Sequence, residues 1–169
     1  MLSAFVHFSP EDENPQLSSG HWLIEDITVD HVDHFYIYNY SHGLWQTGQP
    51  VTDLRFKGIK ATNLLSAFTV VGDTARHFKL TIQNSSFSFR EGASPLPDPF
   101  EGLPFQSQAF FNASNFNTIK IQHVTFDKKG TDVIFTCNSG NALQLKHTKF
   151  ITEESGIPYL IQGVKKTNQ

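Results

Sequence analysis

Aromatic and cationic side chains gather in two stretches of the sequence that could contact a sugar. One is FYIYNYSHGLW at positions 35–45, and the other lies around positions 76–79. Sugar rings stack on aromatic faces, and imidazole or cationic groups hydrogen-bond hydroxyls and carboxylates. We therefore predict six carbohydrate-binding residues in these two stretches. They are Tyr36, Tyr38, His42, Trp45, Arg76 and Lys79.

The prediction for the two tyrosines depends on the alternation of side chains along a strand. Successive residues of HFYIYN, positions 34–39, would point to opposite faces of a sheet. If Phe35 and Ile37 face a core, Tyr36 and Tyr38 face outward, where they could stack on a ligand. The alternative is that these aromatic residues cover a flank of the protein or form an interface with another chain.

Carboxylates and histidines do not combine into a catalytic or metal-binding set. Asp33 and Asp132 each stand alone ahead of an apolar run, where aspartate is common as a turn former. His31 and His34 are three residues apart and would point to opposite faces of an extended strand. We therefore expect no catalytic residue, no metal site and no cofactor in this chain.

A motif that recurs along the chain would position these side chains. IKIQHVTF, LQLKHTKF and LTIQNSSF share the pattern most closely, and two further copies follow it. The five copies begin at Ile27, Leu54, Leu80, Ile119 and Leu143. Successive starts are 27, 26, 39 and 24 residues apart, and the longest interval contains a proline-rich stretch at 91–107. A period of this length is typical of stacked repeats.

Each repeat divides into three short apolar runs with no helical period. The first two runs alternate apolar and polar residues, which is typical of half-buried strands. Three strands per repeat predict an all-β parallel β-helix of about five coils, with three short parallel sheets. We expect one domain over residues 1–169, with an N-terminal edge segment at 1–21, a loop insertion at 91–107 and a solvated tail at 164–169.

The residue at the bend after the first strand of each repeat supports this fold. A sharp bend requires a positive φ, which glycine adopts freely and asparagine or histidine adopts more often than most residues. We predict that the five bend residues stack as a structural ladder. They are His31, Gly58, Asn84, His123 and His147. Because stacked strands are about 4.8 Å apart, the three histidines would lie side by side and would not converge on a metal ion.

Composition argues against several classes of function. The net charge of −3 argues against electrostatic binding of nucleic acid. No run of about 18 apolar residues is present that could cross a membrane. The N-terminus has no basic segment ahead of its apolar stretch, so it does not resemble a signal peptide. Cys137 is the single cysteine of the sequence, and we expect it to be a small buried apolar residue.

The repeats resemble the C-terminal coils of polygalacturonase-like enzymes, glycoside hydrolase family 28 of the pectin-lyase-like superfamily. VTDLRFKGIKATNLLSAFTVVGD, HFKLTIQNSSFSF and the turn GQP carry the likeness, which extends over residues 22–163. The resemblance implies a right-handed β-helix and an acidic plant-type polysaccharide as ligand. It also implies a secreted or periplasmic location. Enzymes of this family hydrolyse polygalacturonate by inversion, which requires separated carboxyl groups.

The catalytic motifs of that family are missing from this sequence. Asn-Thr-Asp, Asp-Asp and Arg-Ile-Lys do not occur at the third strand of any repeat, and SHG at 41–43 follows its strand. The resemblance therefore implies the distal part of a longer hydrolase, with the chemistry on preceding coils, or a carbohydrate-active protein without hydrolytic activity of its own. The alternative is a structural or assembly β-helix that binds no sugar. The sequence does not identify the cellular compartment, since no signal peptide is visible.

The N-terminal stretch predicts self-association. The end of a β-helix exposes unpaired backbone groups and core side chains unless another segment covers them. Pro10 and Pro15 leave residues 1–21 with only a short apolar run, which is a poor cap. We therefore expect the N-terminal coil to pair with a second copy of the chain.

Overall fold

A computed structural model describes residues 3–6, 20–39, 50–91, 110–128, 135–151 and 159–168. Every regular element within these ranges is a β-strand, and every strand pairing is parallel. The strands form one curled sheet. They are β1 Ser3–Val6, β2 His21–Glu25, β3 Thr28–Asp30, β4 His34–Asn39, β5 Asp53–Lys57, β6 Lys60–Leu64, β7 Ser66–Val71, β8 Phe78–Phe89, β9 Phe111–Asp127, β10 Phe135–Lys146, β11 Lys149–Ile151 and β12 Tyr159–Asn168. The all-β, parallel part of the fold prediction is confirmed.

The pairings fall into three ladders. The first ladder joins β2, β5, the start of β8, the middle of β9 and the later parts of β10 and β12. The second joins β3, β6, the ends of β8 and β9, and β11. The third joins β1, β4, β7 and the starts of β9, β10 and β12.

The first ladder contains four of the five predicted repeat starts in register. Leu54 pairs with Leu80, Leu80 with Ile119, and Ile119 with Leu143. All four side chains are buried. They form the continuous apolar column that the repeat pattern predicted.

The first repeat start, which we predicted at Ile27, is wrong by five residues. Trp22 pairs with Leu54, whereas the carbonyl of Ile27 accepts a hydrogen bond from the amide of Lys60 at 2.9 Å. Ile27 therefore lies beside Ile59 in the second ladder. The stretches from Trp22 and from Ile27 both alternate apolar and polar residues, so alternation alone cannot distinguish the two registers.

The same shift changes one member of the predicted bend ladder. Positive φ angles at Gly58, Asn84, His123 and His147 agree with the prediction, but the first member is Asp26 with φ 54°. The amide of Asp26 donates to the carbonyl of Lys57 at 2.9 Å, one residue before Gly58.

His31, the member predicted in its place, has φ 56° but belongs to a second bend with Asn63. His31 was therefore assigned to the wrong bend. At the first bend, the rings of His123 and His147 stack with centroids 4.7 Å apart.

Phenylalanine columns fill the interior of the curled sheet. In the second ladder Phe87, Phe126 and Phe150 are neighbours in register, and their rings stack with centroids 5.4 and 5.5 Å apart. In the third ladder Phe111 and Phe135 stack at 4.2 Å. Each fully buried aromatic side chain stabilises the fold by about 2 kcal/mol through the area removed from water.

The segment from residue 164, predicted as a solvated tail, is exposed at 165–168 and has regular structure. Residues up to Asn168 continue β12, and Thr167 pairs with Leu143 in the first ladder. The sequence contains no sign of this strand because VKKTN carries few apolar residues, although backbone pairing with β10 needs none. Asn168 is the last residue of the strand.

Cys137 lies in the buried core, as predicted, beside Ala113 in register. Burial raises the pKa of its thiol well above the usual value. The described residues contain no helix that is long and apolar enough to cross a membrane.

Candidate functional site

A polar groove of about 540 Å³ lies on the outer face of the first ladder. Its floor comes from four neighbouring strands, β5, β8, β9 and β10. The lining residues are mostly cations, amides and hydroxyls: Asp53, Arg55, Lys79, Leu80, Thr81, Gln83, Thr118, Lys120, Gln122 and Gln144.

Strand alternation explains why polar side chains collect there. Leu80 and Ile82 are buried in the core, so the residues on either side of them face the groove. In register, Arg55 pairs with Thr81, and Thr81 pairs with Lys120. The groove is thus lined by the outward residues of the same strands whose inward residues form the apolar column.

An ion pair closes the β5 end of the groove. Arg55 donates to Asp53 from Nη2 at 2.7 Å and from Nε at 3.2 Å, and His21 Nδ1 lies 3.4 Å from the same carboxylate. The hydrogen bonds from Arg55 lower the pKa of Asp53. Asp53 therefore stays ionised at neutral pH, and much of the Arg55 charge is neutralised.

The middle of the groove carries cations that are not neutralised. Lys79 and Lys120 are exposed, and neither makes a salt bridge within the described residues. Beside them the Gln83 amide donates to Gln122 Oε1 at 2.8 Å. This hydrogen bond between neighbouring strands holds the two amides side by side, with further donors and acceptors left for a ligand.

The described lining residues can bind an anion and include no pair of carboxyl groups for acid–base catalysis. Asp53 is the single carboxylate among the lining residues, and inverting glycoside hydrolysis needs a pair. Its lowered pKa also makes it unsuited to act as a general acid. Within the described residues, no group of three or more His, Cys, Asp or Glu side chains could hold a metal ion.

Two of the predicted carbohydrate-binding residues are exposed in the structure. Lys79 lines the groove. Arg76 lies on the preceding turn, where its Nε donates to Asp73 at 3.1 Å. His42 and Trp45 lie outside the described residues.

The outward orientation that we predicted for Tyr36 and Tyr38 is wrong. Their exposed fractions are 2% and 0%, and both belong to the main apolar core. Tyr36 pairs with Phe68, at the same level as the core phenylalanines of the third ladder. Phe35 is also in the core, so two consecutive residues point inward at the start of β4. The alternation of inward and outward side chains along β4 is therefore shifted by one residue. The Tyr38 hydroxyl accepts a hydrogen bond from the Val51 amide at 3.0 Å.

Asp33, considered as a single carboxylate, has a structural role. Its carbonyl accepts hydrogen bonds from the amides of Leu65 and Ser66, and its carboxylate lies 3.4 Å from Arg90 Nη2. These contacts agree with the interpretation of Asp33 as a turn former. Asp132 lies outside the described residues.

Sequence reasoning missed most residues of the groove, although a signal was present. In LRFK, LTIQ, IKIQ and LQLK, the polar residue after each apolar residue is a cation, an amide or a threonine, and none is a carboxylate. The missed lining residues are Asp53, Arg55, Thr81, Gln83, Thr118, Lys120, Gln122 and Gln144.

No protein-family model, no curated protein and no solved structure matches this chain.

Proposed function

We propose that the chain is a non-catalytic carbohydrate-binding protein that holds an acidic polysaccharide in the groove of the first ladder. The resemblance to polygalacturonase-like glycoside hydrolases belongs to this proposal, as does the ligand class, a plant-type polyuronate. The curled sheet would then be a right-handed parallel β-helix of about five coils. The register of Leu54, Leu80, Ile119 and Leu143 supports such stacking.

The lining of the groove is the observation that carries the proposal. Lys79 and Lys120 offer positive charge for carboxylates, while glutamine and threonine side chains offer hydrogen bonds for hydroxyls. Charge-assisted hydrogen bonds are stronger than neutral ones, so a carboxylated sugar polymer fits this lining better than a neutral one.

The chemistry of Asp53 supports a binding role over a hydrolytic one. A hydrolase with this groove would need a second carboxyl group facing the same space, and the described lining residues include none. We therefore expect no release of reducing ends when the chain is incubated with polygalacturonate.

Titration with oligogalacturonate by isothermal calorimetry tests the proposal. We expect saturable binding that weakens as salt is added, because exposed charges are screened. A fully methyl-esterified oligomer of the same length, which lacks the carboxylates, should bind more weakly. Absence of heat and of any change in melting temperature with either ligand would contradict the proposed function.

A second candidate function, assembly through the N-terminal end, rests on an exposed apolar edge. Trp22 and Leu23 of β2 are 46% and 60% exposed. Strand β2 pairs with β5 on one side and has no partner on the other side among the described strands. An exposed apolar strand edge favours pairing with another chain, so a second copy is the occupant that we propose for it.

A further inference from the structure

Three lysines form an oblique line across the groove-bearing face of the first ladder. Lys120 lies on the strand next to that of Lys79 and two residues further along in register, since Lys79 pairs with Thr118. The same step leads from Lys120 to Lys146, since Lys120 pairs with Gln144. We call Lys79, Lys120 and Lys146 the lysine diagonal.

Strand geometry fixes the spacing of the diagonal. One strand spacing of about 4.8 Å combined with two residues of about 3.3 Å each separates successive lysine Cα atoms by about 8 Å. The three lysines therefore span about 16 Å. This length suits an extended oligomer better than a single small anion.

The diagonal lysines differ from the cations of β5 in their electrostatic state, and they share that state with Lys166, which pairs with Ala142 on the same face. Arg55 is paired with Asp53, and Lys57 is paired with Glu25. The three diagonal lysines are exposed and make no salt bridge within the described part of the chain.

The side chains between the diagonal lysines are neutral. Within the first ladder, the outward residues of β8, β9 and β10 beside them are Thr81, Gln83, Thr118, Gln122, Ala142 and Gln144. No carboxylate lies between the three lysines, and Asp53, which pairs with Lys79, lies at the β5 end of the line. Hydroxyls and amides on both sides of it could bind the neutral hydroxyls of a sugar.

We propose that the lysine diagonal sets the path of the bound polymer, which runs obliquely across the strands with a carboxylate at each lysine. A chain lying along a single strand would meet one lysine, and a chain along the register level of Lys79 would meet Lys79 and Lys166. The oblique path meets all three. This inference rests on the proposed function and adds to it the direction of the ligand and the residues that select its acidic groups.

Matched charge variants test the path. K79Q, K120Q, K146Q and the triple variant are compared with a control triple, K60Q/K149Q/K165Q, which removes the same charge from exposed lysines that neither line the groove nor lie on the diagonal. Affinity for oligogalacturonates of increasing length is measured at one fixed salt concentration by calorimetry. Circular dichroism and melting temperature confirm that each variant is folded.

The diagonal predicts a specific pattern of affinities. Each single variant should weaken binding by about three- to fivefold, as expected for one exposed charge contact, and the triple variant by at least about 30-fold. The control triple should change the affinity by no more than about twofold. Affinity should rise with oligomer length until the ligand spans the three lysines and should rise little beyond that.

Three results would overturn the proposal, and they can be told apart. If wild-type protein binds but both triples weaken binding equally, the oblique path is wrong while the proposed function stands. If the wild type binds no oligogalacturonate, both are wrong. If a sulfated glycan, poly-glutamate or single-stranded DNA binds as tightly with the same dependence on the diagonal, the assignment of a polyuronate is wrong.

Discussion

His34 is a buried histidine whose protonation should destabilise the protein. Its side chain is 2% exposed, and neither ring nitrogen has a hydrogen-bond partner among the described residues. Burial lowers the pKa of His34 from 6.5 to about 4, although the nearby Asp33 acts in the opposite direction. The folded state therefore binds a proton less readily than the unfolded state.

The pKa of His34 predicts loss of stability on acidification. Between pH 7 and pH 4 the unfolded chain takes up a proton that the folded chain resists, so the free energy of unfolding falls by about 3 kcal/mol from this group. H34F should remove that part of the pH dependence, whereas H77F, at a more exposed histidine, should retain it. Urea unfolding at several pH values measures both. An unchanged slope in H34F would contradict the assignment.

Gly58 has a backbone conformation and a neighbour that both disfavour a side chain. Its φ is 65°, and a Cβ there would overlap with Asp26 Oδ1. Gly20 has φ 83° but no atom within 4 Å of the equivalent position. A side chain at either position is disfavoured by the positive φ, but only at Gly58 would it also overlap with a neighbouring atom.

We expect G58A to destabilise the protein by about 1 kcal/mol more than G20A, because of the contact with Asp26. The double variant D26A/G58A should recover most of that difference. Thermal unfolding of the four proteins, wild type included, provides the comparison. Equal destabilisation by G58A and G20A would show that Asp26 does not lie over Gly58.

Single-residue predictions from the sequence succeeded where backbone geometry restricts the residue type. Positive φ at Gly58, Asn84, His123 and His147 was predictable, because few residue types tolerate it. The orientation of Tyr36 was not, because both tyrosine and phenylalanine are compatible with a core position. The register that places Tyr36 beside Phe68 depends on the neighbouring strand.

At the scale of elements, the second ladder depends on its phenylalanine column. Phe126 is fully buried and stacks between Phe87 and Phe150. Removing its ring would leave a cavity in contact with two strands. Replacing it with leucine would retain most of the apolar volume.

F126A should lower the free energy of unfolding by about 4 kcal/mol, and F126L by about 1 to 2 kcal/mol. Denaturant unfolding measures both values, with F5L near the N-terminal end of the sheet as a control in a less buried site. If F126A lowered the free energy of unfolding no more than F126L, the stacked column would not stabilise the fold as the structure indicates.

The strands of the later repeats were more predictable than those of the first. From Leu54 onward, one apolar residue of each first strand pairs with the equivalent residue of the next, and the sequence pattern sufficed to align them. The first repeat contains two overlapping alternations, starting at Trp22 and Ile27. The pairing of Trp22 with Leu54 selects the alternation that starts at Trp22. Because this pairing joins strands of two different repeats, the sequence of the first repeat alone does not reveal it.

At the scale of the whole molecule, the exposed edge at β2 predicts self-association. L23K should weaken it, because Leu23 is 60% exposed on that strand and a lysine at a strand edge opposes pairing. H21K, on the same strand, alters the edge without removing an apolar residue and should have a smaller effect. Sedimentation velocity over a range of concentrations measures the difference. A wild-type protein that stays monomeric at high concentration would exclude this mode of assembly.

The central claim is that the outer face of the first ladder binds an acidic polysaccharide, and NMR mapping with oligogalacturonate tests it most directly. We predict saturable shifts in the amide signals of Thr81, Lys120 and Gln144, which line the groove. The signals of Ser86 and Lys149, on the outward side of the second ladder, should stay unchanged. No shifts at saturating ligand, or shifts confined to the second ladder, would contradict the account.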